Sequence, residues 1–316
     1  MKQNKHILFI LCGMMLASGT GCQNQNSPVN PQDQMVQTRH MTIKMNDATI
    51  AHLRRITHAT ITDDGTSLSA EWVAGDEATY CNLSRTNGIN PLTEEYDIYS
   101  GALSAATSGT GTDLNGDVTC SSGDYLAVVY PHTNSFVYND PGTSYTYTLP
   151  LTGQDGSLAR LASTYHYIYG RAFVQSVDGT TATATMDKMV SLLTVCKFSF
   201  TDGANPIPVG ILSISYGGSG SYAGKYPQSA TVTVTNLTAN NQATAEGVLP
   251  DTATPLTITC ASEQNEVYVA LLPEVASRTY TFTVTNSTGT YTGTASAQLN
   301  KGEYVVATNL QLSSNG

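Results

Sequence analysis

Residue types and spacings that suit catalysis are scarce in this chain. Gly217–Ser221 reads Gly-Gly-Ser-Gly-Ser, which approximates the Gly-x-Ser-x-Gly turn that exposes a serine nucleophile. Ser221 stands where that turn requires its second glycine, so a Gly/Ser loop is the favoured interpretation. Glu94, Glu95 and Asp97 could form a carboxylate pair, but they lie beside a proline and are typical of a solvated loop. The sequence therefore predicts no catalytic site.

A calcium-loop pattern is present but incomplete. Asp113, Asn115, Asp117 and Asp124 stand at its first, third, fifth and twelfth positions. The sixth position, which needs glycine for a sharp turn, holds Val118, and this mismatch disfavours calcium. The histidines that follow the signal segment lack the paired spacing of a metal site: they are His40, His52, His58, His132 and His166. We therefore predict neither a bound metal nor a cofactor.

Cysteine usage leaves the redox state open. Four cysteines follow the N-terminal segment, and in an oxidising compartment they could pair in three ways. They are far apart and contain no Cys-x-x-Cys spacing, which makes a zinc site unlikely on chemical grounds. Cys196 lies in an apolar run and favours a buried free thiol. The four are Cys81, Cys120, Cys196 and Cys260.

The N-terminus has the features of an export signal. Two lysines, Lys2 and Lys5, precede an apolar run over residues 7–17, which is too short to span a bilayer. Small residues then lead to Cys22, and this order resembles a bacterial lipoprotein signal in which the cysteine becomes the lipidated first residue. A polar tether follows, which favours lipidation of Cys22 over an ordinary signal peptide with an incidental cysteine. We predict a signal peptide at 1–21.

Charge and composition limit the function classes. The formal net charge of −10 becomes −12 when two lysines leave with the signal peptide, which argues against nucleic acid as a partner. Charged residues make up only 12% of the chain, and its strand-like segments are rich in threonine and tyrosine, which indicates an exported β-protein.

Period-two patterns predict an all-β fold of two β-sandwich domains in tandem. The predicted division is a linker at 22–39, an N-terminal domain at 40–180 and a C-terminal domain at 181–316, with the seam near 177–187. One short strand is predicted from His40 to Asn46, and Leu68, Ala70 and Trp72 share the buried face of another. Two short helices are expected, at 157–165 with Ser157 as N-cap and at 186–193.

The most regular alternation lies at the end of the chain, over residues 303–312. Side chains on a strand alternate between faces. One face is nearly all apolar: Tyr304, Val306, Thr308, Leu310 and Leu312. The sequence therefore predicts a half-buried strand, which completes either its own domain or the sheet of another subunit.

Several motifs in order resemble the fimbrillins and fimbrillin-like lipoproteins of Bacteroidales, the subunits of type V pili. Trp72–Asp76 matches a Trp-x-x-Gly-Asp motif, and Tyr125–Pro131 matches a tyrosine-rich strand that ends in proline. Tyr167–Gly170 matches an aromatic-Gly segment before the second domain, Met189–Phe200 the apolar segment that opens it, and Val267–Pro273 a late aliphatic-Pro strand. Each residue also has a structural explanation, as a core aromatic, a turn or a strand end.

The resemblance implies transthyretin-like domains and assembly by strand exchange. An outer membrane lipoprotein is exported to the cell surface, and an Arg-specific trypsin-like protease removes its N-terminal strand, here within Met41–Leu53. Cleavage would follow Arg55 or Arg54, with Arg39 as the third choice. The vacated groove would accept the terminal strand, residues 303–312, of another pilin subunit, giving a pilus (fimbrium) with a role in adhesion. The alternative interpretation of Arg54 and Arg55 is a solvent-exposed basic pair at the end of a strand, without a role in processing.

Two other function classes are open to the same sequence. A monomeric surface glycan-binding lipoprotein would need exposed aromatic side chains, and the single Trp72 is already placed on a buried face. A surface hydrolase would need a clustered acid and base, which the sequence does not offer.

Overall fold

Strands form nearly all of the ordered elements. The computed structural model describes residues 37–45, 60–89, 96–133, 136–139, 144–186 and 188–315. The first strands are β1 (Gln37–Met45), β2 (Thr60–Asp63), β3 (Leu68–Glu71), β4 (Glu77–Ile89), β5 (Tyr96–Ala105), β6 (Asp113–Cys120), β7 (Tyr125–Tyr130), β8 (Val137–Asn139), β9 (Ser144–Pro150), β10 (Ile168–Asp178), β11 (Thr181–Met186) and β12 (Val190–Ser191).

The remaining strands are β13 (Thr194–Thr201), β14 (Pro206–Ile207), β15 (Val209–Tyr216), β16 (Ser229–Val234), β17 (Ala245–Val248), β18 (Leu256–Gln264), β19 (Val267–Leu271), β20 (Arg278–Asn286), β21 (Gly289–Ala297), β22 (Tyr304–Gln311) and β23 (Ser313–Ser314). The all-β prediction is confirmed.

The N-terminal strands hydrogen-bond in a closed circuit. The order is β11-β1-β6-β5-β4-β7-β10, and β11 pairs with both β1 and β10, so the sheet returns to its start. Its interior holds Met41, Ile43, Trp72 and Leu114, all buried. Trp72 packs edge-on against Tyr130 with ring centroids 5.4 Å apart, as expected for a core aromatic.

The C-terminal strands form a β-sandwich. One sheet contains β14, β13, β19 and β22, and the facing sheet has the order β18-β15-β20-β21-β23. Phe198 and Phe200 on β13 meet Phe282 on β20, with centroids 5.2 and 5.8 Å apart. This aromatic contact marks the core between the two sheets.

The two halves share strands and core. β9 pairs antiparallel with β16, which lies far along the chain, in the sheet β17-β16-β9-β8. The predicted seam at 177–187 falls within the antiparallel hairpin of β10 and β11. The division into two tandem transthyretin-like domains stays a prediction.

One of the two predicted helices forms. Leu158–Arg160 is helical and continues as a π-helical turn over Leu161–Tyr165, and the Ser157 hydroxyl accepts from the backbone N–H of Arg160 at 3.1 Å, as predicted for an N-cap. The helix at 186–193 is wrong, because this stretch ends β11 and then forms β12 on the edge of β10. None of the helices in the described part of the chain is long and apolar enough to cross a bilayer.

Candidate functional site

The first part of the candidate site is the position of β1 between β6 and β11, which we call the seat of β1. This strand runs antiparallel to β6 and parallel to β11, so both of its edges are hydrogen-bonded. Met41 and Ile43 are fully buried in the core of the closed circuit. The strand predicted at 40–46 is present over 37–45, and its predicted alternation is confirmed from His40 to Ile43. Removing β1 would expose two strand edges and an apolar space together.

The outward side of β1 is polar. The Thr42 hydroxyl donates to Asn115 Oδ1 at 2.7 Å on β6, and Arg39 donates to the carbonyl oxygen of Gly179. Arg39 therefore lies inside a paired strand, and a protease could reach the bond after it only when β1 opens. The other predicted processing sites, Arg54 and Arg55, and the lipidation site Cys22 lie outside the described residues.

The second part of the site is the terminal strand β22. It pairs parallel with β13, with Tyr304 opposite Val195 and Ala307 opposite Phe198. Among the described residues, β13 is the only strand that hydrogen-bonds to β22. β22 is therefore an edge strand of its own sheet.

The predicted apolar face of β22 is split in this seat. Tyr304 and Leu312 are buried and Leu310 is half-buried, but Val306 and Thr308 are exposed. The expectation of one continuous buried face was wrong for the chain's own domain.

The physical reason is the register of β22 and one irregular residue. Alignment with β13 turns Val305 and Ala307 toward the core. Asn309 then has a positive φ of 55°, and the ladder with β13 is shifted there. This shift changes the phase of the strand, so Leu310 and Leu312 return to the core side.

The core beneath β22 is underfilled. An apolar cavity of about 130 Å³ lies between this strand and the facing sheet. Small side chains border it on both sides, namely Ala307 on β22 and Ala295 and Ala297 on β21. The terminal strand therefore fills its own seat poorly.

The last residues cross to the facing sheet. β23 pairs with β21, and Leu312 passes directly over Gly293 of that strand. A Cβ atom at position 293 would lie 2.6 Å from the carbonyl oxygen of Gln311 and 2.7 Å from Leu312 Cδ2. Glycine is required at this position because the terminal strand approaches so closely.

A buried ion pair joins the β2–β3 hairpin to the same sheet. Lys197 Nζ on β13 lies 3.0 Å from Asp63 Oδ2 and 3.0 Å from Glu266, and the side chains of Lys197 and Asp63 are only 12% and 8% exposed. The Tyr268 hydroxyl donates to the same Asp63 oxygen at 2.7 Å, and Tyr304 of β22 also interacts with this carboxylate. We call these five residues the Asp63 cluster.

The cluster holds both charges at neutral pH. Burial alone raises the pKa of Asp63, but hydrogen bonds from Tyr268, the backbone of Gly65 and Lys197 outweigh it and bring the pKa below its ordinary value. Burial likewise lowers the pKa of Lys197, and hydrogen bonds to Glu266 and Asp63 raise it above its ordinary value. Sequence reasoning missed this cluster, although a lone lysine in the apolar strand β13 signals a buried partner.

The other chemical candidates among the described residues are not assembled into sites, while Glu94, Glu95, His52 and His58 lie outside the described residues. Gly217–Ser221 begins the loop after β15, as predicted. Asp113, Asn115 and Asp117 lie along β6, while Asp124 is buried and receives hydrogen bonds from Arg85. No group of three His, Cys, Asp or Glu side chains with metal-binding geometry occurs in the described residues.

All four cysteines of the described residues are buried free thiols, which confirms the interpretation of Cys196. Burial raises the pKa of Cys120 to about 11. Thiols this far from ionisation are poor nucleophiles at neutral pH.

Comparisons with known proteins give distant matches only. The shaft pilin SpaA of Lactobacillus rhamnosus GG, in a double-mutant form, is 12% identical over 89% of this chain and 99% of the pilin, with a TM-score of 0.32. A candidate cell adhesion protein from Bacteroides eggerthii DSM 20697 is 11% identical over 86% of each chain, with a TM-score of 0.35. A streptococcal ancillary pilin is 10% identical over 87% of this chain and 68% of its own, with a TM-score of 0.28.

No family model matches the chain, and no curated protein sequence matches it. The fold described above rests on the strand pairing of this chain alone.

Proposed function

We propose that this chain is a structural subunit of a cell-surface pilus with a role in adhesion. In this proposal, β22 of one subunit leaves its own sheet and replaces β1 of the next subunit. The motif order that resembles fimbrillins suggests the idea. The observation that carries it is the mismatch between the sequence of β22 and its own seat.

A regular strand would place Tyr304, Val306, Thr308, Leu310 and Leu312 on one face. In its own seat β22 instead leaves Val306 40% exposed and breaks its alternation at a shifted residue. Register is strongly specified wherever one face of a strand is buried. A continuous apolar face that the chain's own domain does not use favours a second seat in which it is used.

The seat of β1 fits such a strand. Without β1, the edges of β6 and β11 lose their hydrogen-bond partner, and the space of two fully buried side chains, Met41 and Ile43, is empty. These side chains are two residues apart, as Leu310 and Leu312 are. An extended segment with this spacing can add to both edges and fill the core.

Proteolysis supplies the trigger in this proposal. Cleavage by a trypsin-like Arg-specific protease after Arg55 or Arg54 would separate β1 from the rest of the chain, while lipidation at Cys22 would hold the precursor at the outer membrane. Arg39 is a poorer site because it lies within β1 itself. The partners are other pilin subunits.

Limited trypsin digestion tests the trigger and the link together. The purified chain is digested, the product is sequenced from its N-terminus, and an unheated denaturing gel reports any ladder. We expect cleavage at Arg54 or Arg55 and a ladder that a chain ending before Glu303 does not form. A ladder from the shortened chain, or a protein that stays monomeric after cleavage, contradicts the proposal.

A single substitution tests the face of the donor strand. Val306→Asp changes an exposed residue of the monomer, so its melting temperature should stay within the range of surface substitutions. In the acceptor seat the same aspartate would be buried without a partner, and we expect at least a tenfold loss of ladder. Val248→Asp on β17, at a position 58% exposed, is the matched control and should polymerise normally. Equal ladders from both variants would contradict insertion of this face.

A further inference from the structure

A cleft of about 620 Å³ lies at one end of the C-terminal sandwich. Its walls come from β17, from the loop after β15, from the loop before β20 and from the loop before β22. This volume is typical of small-molecule sites. Neither the seat of β1 nor the paired part of β22 contributes to its walls.

One wall presents a fixed aromatic ring. Tyr222 is 48% exposed, and its ring stands nearly perpendicular to that of Tyr216, with centroids 6.5 Å apart. The guanidinium of Arg278 lies 5.3 Å from the Tyr216 centroid and 5.4 Å from the Tyr222 centroid. The cation holds both rings in place. An exposed ring held in this way offers an apolar surface to the C–H face of a sugar.

The same cleft is also lined by polar groups without a partner among the described residues. Glu246 is exposed on the cleft wall, and its carboxylate makes no hydrogen bond or ion pair in the described part of the chain. Arg278 uses its Nε atom on Glu274 at 3.1 Å, and its two Nη groups make no hydrogen bond to the described residues. The lining of the cleft therefore combines a hydrogen-bond acceptor, hydrogen-bond donors and an apolar ring, and this combination matches a ligand whose hydroxyl groups both donate and accept.

The charges of the cleft compensate one another. Two acids, Glu246 and Glu274, and two bases, Arg278 and Lys301, line it. Glu274 is paired with Arg278, and Lys301 donates to the backbone carbonyl oxygens of two residues, one of them at 2.8 Å. The formal charges of these four side chains sum to zero. The lining favours a neutral polar ligand over a charged one.

The cleft is also tied together before any ligand binds. The Tyr216 hydroxyl donates to Glu274, and the backbone N–H of Glu274 donates to the carbonyl oxygen of Leu299 at 2.7 Å. These contacts join the loop before β20 to the end of β15 and to the loop before β22, so little ordering of these segments is needed on binding.

We propose that this cleft binds a neutral saccharide, with one sugar ring stacked on Tyr222 and its hydroxyl groups bound by Glu246 and Arg278. The site would give an assembled subunit a contact with surface glycans. It does not depend on strand exchange, since every residue that forms it is present in the single chain.

The test is binding of the purified chain to an array of neutral and acidic oligosaccharides, followed by calorimetric titration with the neutral oligosaccharide that binds best. We expect neutral oligosaccharides to bind, and Tyr222→Ala and Glu246→Ala each to weaken binding at least tenfold. Tyr222→Phe keeps the ring and should bind nearly as the parent does. Tyr291→Ala, on β21 outside the cleft, is the control for loss of a tyrosine. Thermal melting establishes that each variant is folded.

Three outcomes would overturn the inference. They are an array without any neutral oligosaccharide bound, an array with only sialylated or uronic-acid oligosaccharides bound, and neutral binding that the Tyr222 and Glu246 variants leave unchanged. None of them bears on the ladder assay, so the two proposals can fail separately.

Discussion

Filling the cavity beneath β22 should slow the release of that strand. Ala307 faces the cavity of about 130 Å³, between Phe198 and the facing sheet. Ala307→Leu adds three carbon atoms to this space. In the proposed acceptor seat position 307 would point away from the core, so the added leucine would stabilise only the strand in its own domain.

The size of the effect follows from the cavity. At about 24 cal/mol per Å³, an enclosed cavity of 130 Å³ would forfeit about 3 kcal/mol of the free energy of unfolding, and this value is an upper limit because the cavity is partly open to solvent. Burial of three added carbon atoms raises the free energy of unfolding by about 2.4 kcal/mol if they fit without strain, and steric crowding lowers this gain by about 1 kcal/mol. We therefore expect the monomer to gain about 1–2 kcal/mol. Since 1.4 kcal/mol is tenfold, release of β22 would slow about 5- to 30-fold.

Urea denaturation of the uncleaved monomer and the rate of ladder growth after trypsin measure the two quantities. Thr308→Leu is the matched control, because position 308 is exposed in the chain's own seat. It should leave monomer stability within about 0.5 kcal/mol and should not slow the ladder. The reasoning is refuted if Ala307→Leu stabilises the monomer without slowing the ladder, or if Thr308→Leu slows it equally.

Three further predictions concern the same fold. Gly293→Val should displace the end of β22, because its side chain would collide with backbone; we expect a less stable monomer in urea and faster ladder growth. Asp63→Asn should lower the free energy of unfolding by about 2 kcal/mol at pH 7, because Lys197 then keeps Glu266 as its only acidic partner. Since the fold lowers the pKa of Asp63, the difference between the variant and the parent should disappear as the pH falls below about 3.8. Urea titrations at several pH values measure this difference. Burial lowers the pKa of His166 to about 3, so stability should fall as pH drops from about 6.5 toward 3, by up to about 1.4 kcal/mol per pH unit, and His166→Gln should remove this slope.

The strands of the C-terminal sandwich could be predicted from alternation alone. Alternation predicts strands at 195–200, 210–216, 230–236, 256–260, 267–272, 279–286, 290–297 and 303–312, and each is present with ends shifted by a few residues. These strands are rich in threonine and β-branched residues, and β13, β16, β18 and β20 bury alternate residues over most of their length. This is the condition under which a period of two is visible in a sequence.

The strands of the N-terminal half were harder to predict from the sequence. β4 was missed because its buried residues alternate between two cores: Tyr80 points into the closed circuit, and Cys81 and Leu83 into the core shared with the sandwich. β6 resembled a calcium loop because acidic residues at every second position are also what the outer face of a strand carries.

Tertiary context explains the two remaining errors. The stretch at 186–193 has apolar residues at helical spacing, but Met186 and Met189 belong to one core and Leu192 and Leu193 to the other. The segment crosses between cores, so its apolar residues do not mark one helix face. The split face of β22 depends on pairing with β13, which local sequence does not encode.

The two seats differ in a way that would give the proposed strand exchange a direction. In its own seat β22 has one strand partner among the described residues, and that sheet edge remains open. The seat of β1 offers two partners, β6 and β11, along nearly the full length of the strand. Each added backbone hydrogen bond contributes about 0.5–1.5 kcal/mol net.

Packing acts in the same direction. In its own domain β22 lies over a cavity. Removal of β1 would instead leave the space of Met41 and Ile43, which is enclosed because both side chains are fully buried. While β1 is present, the seat of β1 is occupied, and β22 would remain paired with β13 in its own domain. Once β1 is removed, the same strand would gain a second edge and a buried face for Val306. In the proposed mechanism, the link between two subunits would require no energy source other than the cleavage itself.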